Sequence, residues 1–431
     1  MATDTGLRAA LRSRPFSILF LGYVVSAIGD GMAAVAIAWL AIVLARGHDT
    51  GLLVGASIAA YTLPGTVAGL SMGRILTRWD PRMLVLAEAL LRALALGLVA
   101  AGAIAGILTP IEYVVLLGIS SLFGLLGASG NLASVAELLP PAQHVAGNSL
   151  ISVAGFGAII VGPALAGLVI ALSSPGAAMA ADAASYAALV IAVILSRRFQ
   201  PAPPPSGPGQ SLLTTLRSLG REPVVLGITL LCVAFFGLYG PVEVALPIYV
   251  SQTLHAGPAI LGGYWALFAC GATAGALGAS SVQRFGLGRV AVAAMAGWGA
   301  CLVPFGFTHS VVVGLVAITV GGLVYGPFPP LKQTIVQRHS TAGSLTTLAA
   351  ASAVLTIPAA PIGTALGGPL VAALGPGRTL LASGLATLAA AAVAALLIAR
   401  RHRQAEQPAG AAQPDGAGRA GEAGATDAAP G

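Results

Sequence analysis

Charge is scarce in this sequence. Only 8% of its 431 residues are charged, against about a quarter in a soluble domain, while 57% are hydrophobic and the mean hydropathy is +0.90. Water cannot be the solvent for most of such a surface. Lysine is nearly absent: Lys332 stands alone between Leu331 and Gln333, so there is no phosphate loop ending in Lys-Ser or Lys-Thr and an in-chain ATPase is excluded. Cys232, Cys270 and Cys301 have no C-x-x-C spacing, indicate neither a disulfide framework nor a zinc site, and read as small packing residues. Gly127-Ala128-Ser129-Gly130 has the form of an intramembrane protease nucleophile, but His48, His144, His255, His309, His339 and His402 all fall in loops or the tail and leave the serine without a base. A channel would need a carbonyl filter or a ring of charges, and neither pattern occurs.

What remains is a succession of apolar runs. A bilayer crossing takes ~20 apolar residues, and twelve runs occur at about 16–45, 51–75, 83–108, 113–135, 145–172, 175–196, 224–252, 257–282, 289–308, 311–330, 341–374 and 377–399. The expected fold class is therefore an all-α membrane protein of twelve transmembrane helices. The net charge of +7 invites a nucleic-acid reading, which placement removes. With the N-terminus inside, Lys332 and nearly all arginines lie on one side; only Arg46 and Arg378 fall outside, and Arg92 lies within a span. That asymmetry predicts a multi-pass protein of the cell membrane with both termini cytoplasmic. Arg8, Arg12 and Arg14 before the first run imitate a signal peptide, but the run is too long for one and reads as a retained span.

A Pro-rich stretch, Gln200 to Gln210, separates spans six and seven. The expected organisation is a cytoplasmic N-terminus (1–15), a six-helix half (16–196), a linker with a short amphipathic helix (197–223), a second six-helix half (224–400) and a disordered tail (401–431). The halves echo each other at offsets of 208, 206 and 206 residues: Arg14-Pro15 with Glu222-Pro223, Thr77-Arg78 with Gln283-Arg284, and Gly162-Pro163 with Gly368-Pro369. Pseudo-symmetric halves of this kind place transport sites at their interface.

Between spans two and three stands Gly73-Arg74-Ile75-Leu76-Thr77-Arg78-Trp79-Asp80-Pro81-Arg82, followed later by Asn148-Ser149-Leu150, Gly162-Pro163-Ala164-Leu165-Ala166-Gly167 and Asp182-Ala183-Ala184-Ser185-Tyr186. On these motifs residues 14–400 resemble the major facilitator superfamily, in particular its multidrug and siderophore exporter branch of enterobactin exporters and macrolide efflux proteins. The resemblance implies an inner-gate loop at Gly73, Arg78, Asp80 and Arg82, with Arg284 as the counterpart in the second half; Thr77 replaces the usual first aspartate and removes one partner of the gate's ion pair. It also implies an antiporter-like element at Gly162, Pro163 and Gly167, and a central cavity lined by spans one, four, seven and ten. Independently of the family, Ala154, Ala158, Gly162 and Ala166 lie four apart and offer a small-residue face for close helix packing.

Ionisable residues inside spans each cost about 2.5–3.5 kcal/mol on insertion scales and are expected to face a cavity or a partner. Asp30, between Gly29 and Gly31, is the leading site residue; a helix-break hydrogen bond is its structural alternative. Glu243 in span seven is the second, because a carboxylate kept from water gains by taking up a proton, although a local polar partner accounts for it too. The two are expected to face each other across the cavity. Asn131, Phe235, Phe236, Tyr239, Trp265 and Tyr325 are candidates for an amphipathic wall, or for plain packing. Glu88 and Arg92, four apart, read as a mutually neutralising pair, and Asp182, close to the outer end of span six, as a residue that snorkels or hydrogen-bonds locally. Together these point to a secondary transporter that functions as a monomer, needs no cofactor or metal, and exchanges protons for a small amphipathic molecule. An importer and a non-transporting sensor on the same scaffold are the alternatives.

Overall fold

In the computed structural model, which describes residues 6–46, 49–76, 80–196, 212–340 and 344–406, the apolar runs are helices and no strand occurs among those residues. The first six crossings are Arg14–Ala45, Thr50–Leu76, Pro81–Ala105, the pair Pro110–Ser121 and Gly124–Leu138, His144–Leu172, and Pro175–Leu195. The second six are Pro223–Ile248 with a π-helical turn to Thr253, Pro258–Leu277, Leu287–Leu302, the pairs Val311–Tyr325/Phe328–Arg338 and Leu345–Thr356/Ala359–Leu374, and Pro376–Glu406. Eleven segments among the described residues are long and apolar enough to cross a bilayer; the fourth crossing is assembled from two shorter helices. The expected twelve spans are thus present.

Proline starts many of them. Pro15, Pro81, Pro110, Pro175, Pro223 and Pro258 sit in first turns, where the missing N–H costs nothing. Span four opens on a capping box, Thr109 with Glu112. It breaks after Ser120 and Ser121, whose hydroxyls donate to the carbonyls of Leu117 (2.7 Å) and Gly118 (3.0 Å) and so compete with the backbone ladder. Span ten runs on to Arg338, so Lys332 lies within a helix and donates to Thr356 Oγ1 of span eleven at 3.3 Å. Arg78, the linker 197–211 and the tail 407–431 lie outside the described residues. The short helix Leu212–Gly220 does follow the linker and buries Leu219.

Close packing rests on small residues. Span one lies against spans five and six, and span seven against spans eleven and twelve. The halves meet through spans five and eight and through spans two and eleven. At these seams Gly167 packs on Pro258 and Ala259, Gly262 on Pro163, and Gly51 and Gly55 on Gly368. Gln252 Nε2 adds a hydrogen bond to Thr50 Oγ1 at 3.4 Å. All of these residues belong to the same end of the bundle, that of the loops joining spans one to two, five to six, seven to eight and eleven to twelve.

Candidate functional site

Gly29, Asp30 and Gly31 face three directions. Gly29 lies against Asp182 and Ser185 of span six, and Gly31 against Ala158 and Gly162 of span five, with no room for a Cβ at either position. Asp30 between them keeps its side chain 47% exposed in the middle of span one. Three donors converge on its Oδ1: Arg92 Nη1 of span three at 2.9 Å, Tyr61 Oη of span two at 3.1 Å, and Tyr186 Oη of span six. Arg92 Nη1 is itself 2.7 Å from both tyrosine hydroxyls, and its guanidinium carbon lies 5.1 Å and 5.2 Å from the centres of the Tyr61 and Tyr186 rings. Four helices are therefore tied by one ion pair and two phenols.

Arg92 also reaches Glu88, one turn earlier, at 3.4 Å from Nε to Oε1. The expected pair exists but is not self-contained, because Arg92 is the hub of a larger cluster. Asp182 requires a correction: it is 0% exposed beside Gly29, far from snorkelling, and its carboxylate oxygens accept no hydrogen bond among the described residues. The adjacent Ser185 hydroxyl donates instead to the Asp182 carbonyl oxygen. The sequence reading missed Tyr61 and the convergence on Arg92. The available signal was the i, i+3, i+4 spacing of Asp182, Ser185 and Tyr186, which puts all three on the face of span six toward Gly29 and Asp30.

Glu243 sits elsewhere. Its Oε2 accepts from Thr364 Oγ1 of span eleven at 2.9 Å, so the structure gives Asp30 and Glu243 separate partners in separate halves. Next to it in span seven begins an aromatic box: Tyr239 lies 5.9 Å from Trp298 and 6.5 Å from Trp265, and Tyr325 stacks on Phe235 at 5.6 Å. Phe235, Phe236, Tyr239, Phe268, Trp298 and Tyr325 enclose a cavity of about 100 Å³. Asn131 of span four is half-buried, and its Oδ1 has no hydrogen-bond partner among the described residues. At the inner-gate loop, Gly73 is in the last turns of span two, Asp80 caps span three by accepting from the Arg82 N–H at 2.8 Å, and Arg82 Nη2 donates to the Ile194 carbonyl at 3.5 Å. Arg284 stacks on its neighbour Phe285. Gly162, Pro163 and Gly167 form both the span-one and the span-eight contacts of span five.

The Major Facilitator Superfamily profile matches residues 19–361. The chain belongs to that superfamily. As a member of it, the protein is a multi-pass membrane transporter that binds small molecules, and not an enzyme. It is 30% identical over 422 residues to the multidrug efflux pump Tap of Mycobacterium tuberculosis, covering 92% of this chain and 96% of that one. The Mycolicibacterium fortuitum multidrug efflux pump Tap is 27% identical over 404 residues, with 89% and 95% covered. Among solved structures, this major facilitator transporter shares its fold with the nucleoside transporter NupG (TM-score 0.69, 13% identity, 89% and 99% covered). A bacterial homologue of the iron transporter ferroportin matches at a TM-score of 0.66, with 18% identity and 90% and 98% covered.

Proposed function

We propose that the protein exports small amphipathic compounds across the cell membrane in exchange for protons, as a monomer with both termini in the cytoplasm. The observation that carries this reading is Asp30: a carboxylate half exposed at the middle of span one, held by Arg92 from the interior of span three. Neutralising Asp30, by a proton or by a cationic substrate group, removes the charge that holds Arg92 and loosens four helices at once. A local change is thereby tied to the packing of the whole first half, as alternating access requires. Glu243, hydrogen-bonded across spans seven and eleven, is the second proton acceptor, and the aromatic box beside it is the apolar wall for substrate. With the arginine-rich loops inside, the close seams at Gly51–Gly368 and Gly167–Pro258 lie at the outer ends of the spans, where they hold the two halves together. The similarity to multidrug efflux pumps supports the outward direction. At ~2.3 kcal/mol per charge per 100 mV, each net charge carried inward per cycle at 100 mV sustains roughly a fifty-fold gradient from voltage alone.

The test is accumulation of ethidium and a panel of amphipathic antibiotics in efflux-deficient bacteria, with and without a protonophore. Lower accumulation that the protonophore reverses, and that Asp30→Asn and Glu243→Gln lose at unchanged membrane levels, is expected. Accumulation that rises with the proton gradient identifies an importer instead, and a panel without any response contradicts export.

A further inference from the structure

A second cavity lies far from Asp30, at the arginine-rich end of the second half. It measures about 460 Å³, within the ~300–1,000 Å³ range of ligand sites. Its lining side chains are all apolar and come from four spans: Pro223, Val224, Gly227, Ile228 and Leu231 of span seven, Gly288 and Val292 of span nine, Ile335 of span ten, and Ala394, Leu397 and Ile398 of span twelve. Two glycines hold it open. A Cβ on Gly227 would meet nothing within 4 Å, and one on Gly288 only the tip of Ile398 at 3.7 Å. No polar side chain lines the groove, so in a bilayer it is a place for hydrocarbon.

The chain around it is cationic. Each of the four helices has an exposed arginine on it or just before it, within three residues of a lining residue: Arg221 ahead of Pro223, Arg289 beside Gly288, Arg338 after Ile335, and Arg400 after Ile398. Spans seven and nine also begin here, so two helix N-termini add their partial positive charge. Glu222 is the acidic residue in the same turn as Arg221, leaving the rim strongly positive. An apolar slot under a positive rim is complementary to a molecule with one long hydrocarbon chain and a negative head.

We infer that this groove is a binding site for an anionic phospholipid, with an acyl chain between spans seven, nine, ten and twelve and the phosphate among Arg221, Arg289, Arg338 and Arg400. Such a lipid wedges the inner ends of these four helices and stiffens the second half without touching the ion cluster of the first. The inference is independent of the transported compound and of proton coupling.

The test uses the full-length protein, purified and delipidated, with added phosphatidylglycerol or phosphatidylcholine, read by native mass spectrometry and by the thermal midpoint. The wild type is expected to retain phosphatidylglycerol and to gain several degrees from it, with little gain from phosphatidylcholine and none from inorganic phosphate. Gly227→Leu, whose Cβ would meet nothing within 4 Å and whose side chain would occupy the slot, is expected to lose the bound lipid and the gain; Gly288→Leu provides a second filling variant should the first not fold. Arg289→Gln with Arg400→Gln is expected to keep binding but lose the preference for the anionic head. Equal stabilisation of the wild type by both lipids, or undiminished phosphatidylglycerol binding in a folded filling variant, overturns the assignment.

Discussion

The two halves share a scaffold but not a chemistry. Asp30, Glu88, Arg92 and Asp182 all belong to the first half, gathered within one helix bundle around a single guanidinium. The second half has one intramembrane carboxylate, Glu243, bonded to a threonine, and next to it a box of six aromatic rings. Under the proposed function, one half responds to charge and the other accepts an apolar body. Duplicated halves can thus diverge in side chains while retaining the close contacts, such as Gly162 on Gly31 and Gly363 on Gly237, that keep their helices in place.

Removing the hub should produce the largest effect. Arg92→Gln leaves the half-exposed Asp30 without its partner and the buried Glu88 without its cation, and breaking a buried pair of the latter kind costs ~3–5 kcal/mol. The expected result is a large drop in membrane-inserted protein and in the thermal midpoint, partly restored by adding Asp30→Asn, as measured on detergent extracts. Next in size is Gly31→Val, which drives a side chain into the Ala158 carbonyl of span five. Overpacking there is expected to cost ~1–3 kcal/mol, whereas the same change at Gly157, where a Cβ meets nothing within 4 Å, should be nearly neutral in the same melting assay.

Tyr186→Phe removes one hydrogen bond to an ionised carboxylate, worth ~1.5–3 kcal/mol. It is expected to weaken proton-driven efflux while leaving ethidium binding intact. Tyr239→Ala should do the reverse: the apparent affinity for aromatic substrates falls several-fold, as the loss of ~0.5–1.5 kcal/mol of ring contacts implies, while the dependence on the proton gradient is kept. The smallest stability effect belongs to Glu243→Gln, whose amide oxygen still accepts from Thr364. Its thermal midpoint is expected within a degree or two of the wild type, so any loss of transport would be functional. If Tyr186→Phe and Tyr239→Ala gave the same phenotype, the contrast between the halves would fail.

The crossings were readable because an apolar run of bilayer length has few alternatives, and Pro223 or Pro258 marks where a helix can begin. Small residues at Ala158 and Gly162 likewise announced a close seam. The site was only half legible. Asp30 stood out as a charge in an apolar run, but spans that are apolar on every face carry no periodic signal of which side turns inward. Arg92 therefore paired on paper with Glu88, one turn away, and its 62-residue reach to Asp30 emerged only once span three was packed on span six. Asp182 was misplaced for the same reason: proximity to a loop in sequence says nothing about which neighbour covers the side chain.

The central claim is that substrate movement is tied to protons through Asp30. The most direct measurement is ethidium transport by the purified protein in proteoliposomes, with an imposed pH gradient and simultaneous recording of proton flux. The account predicts that the gradient drives ethidium against its concentration, that ethidium drives protons the opposite way, and that Asp30→Asn retains downhill exchange but loses both couplings. Ethidium movement that is indifferent to the gradient in the wild type, or undiminished coupling in Asp30→Asn, would contradict it.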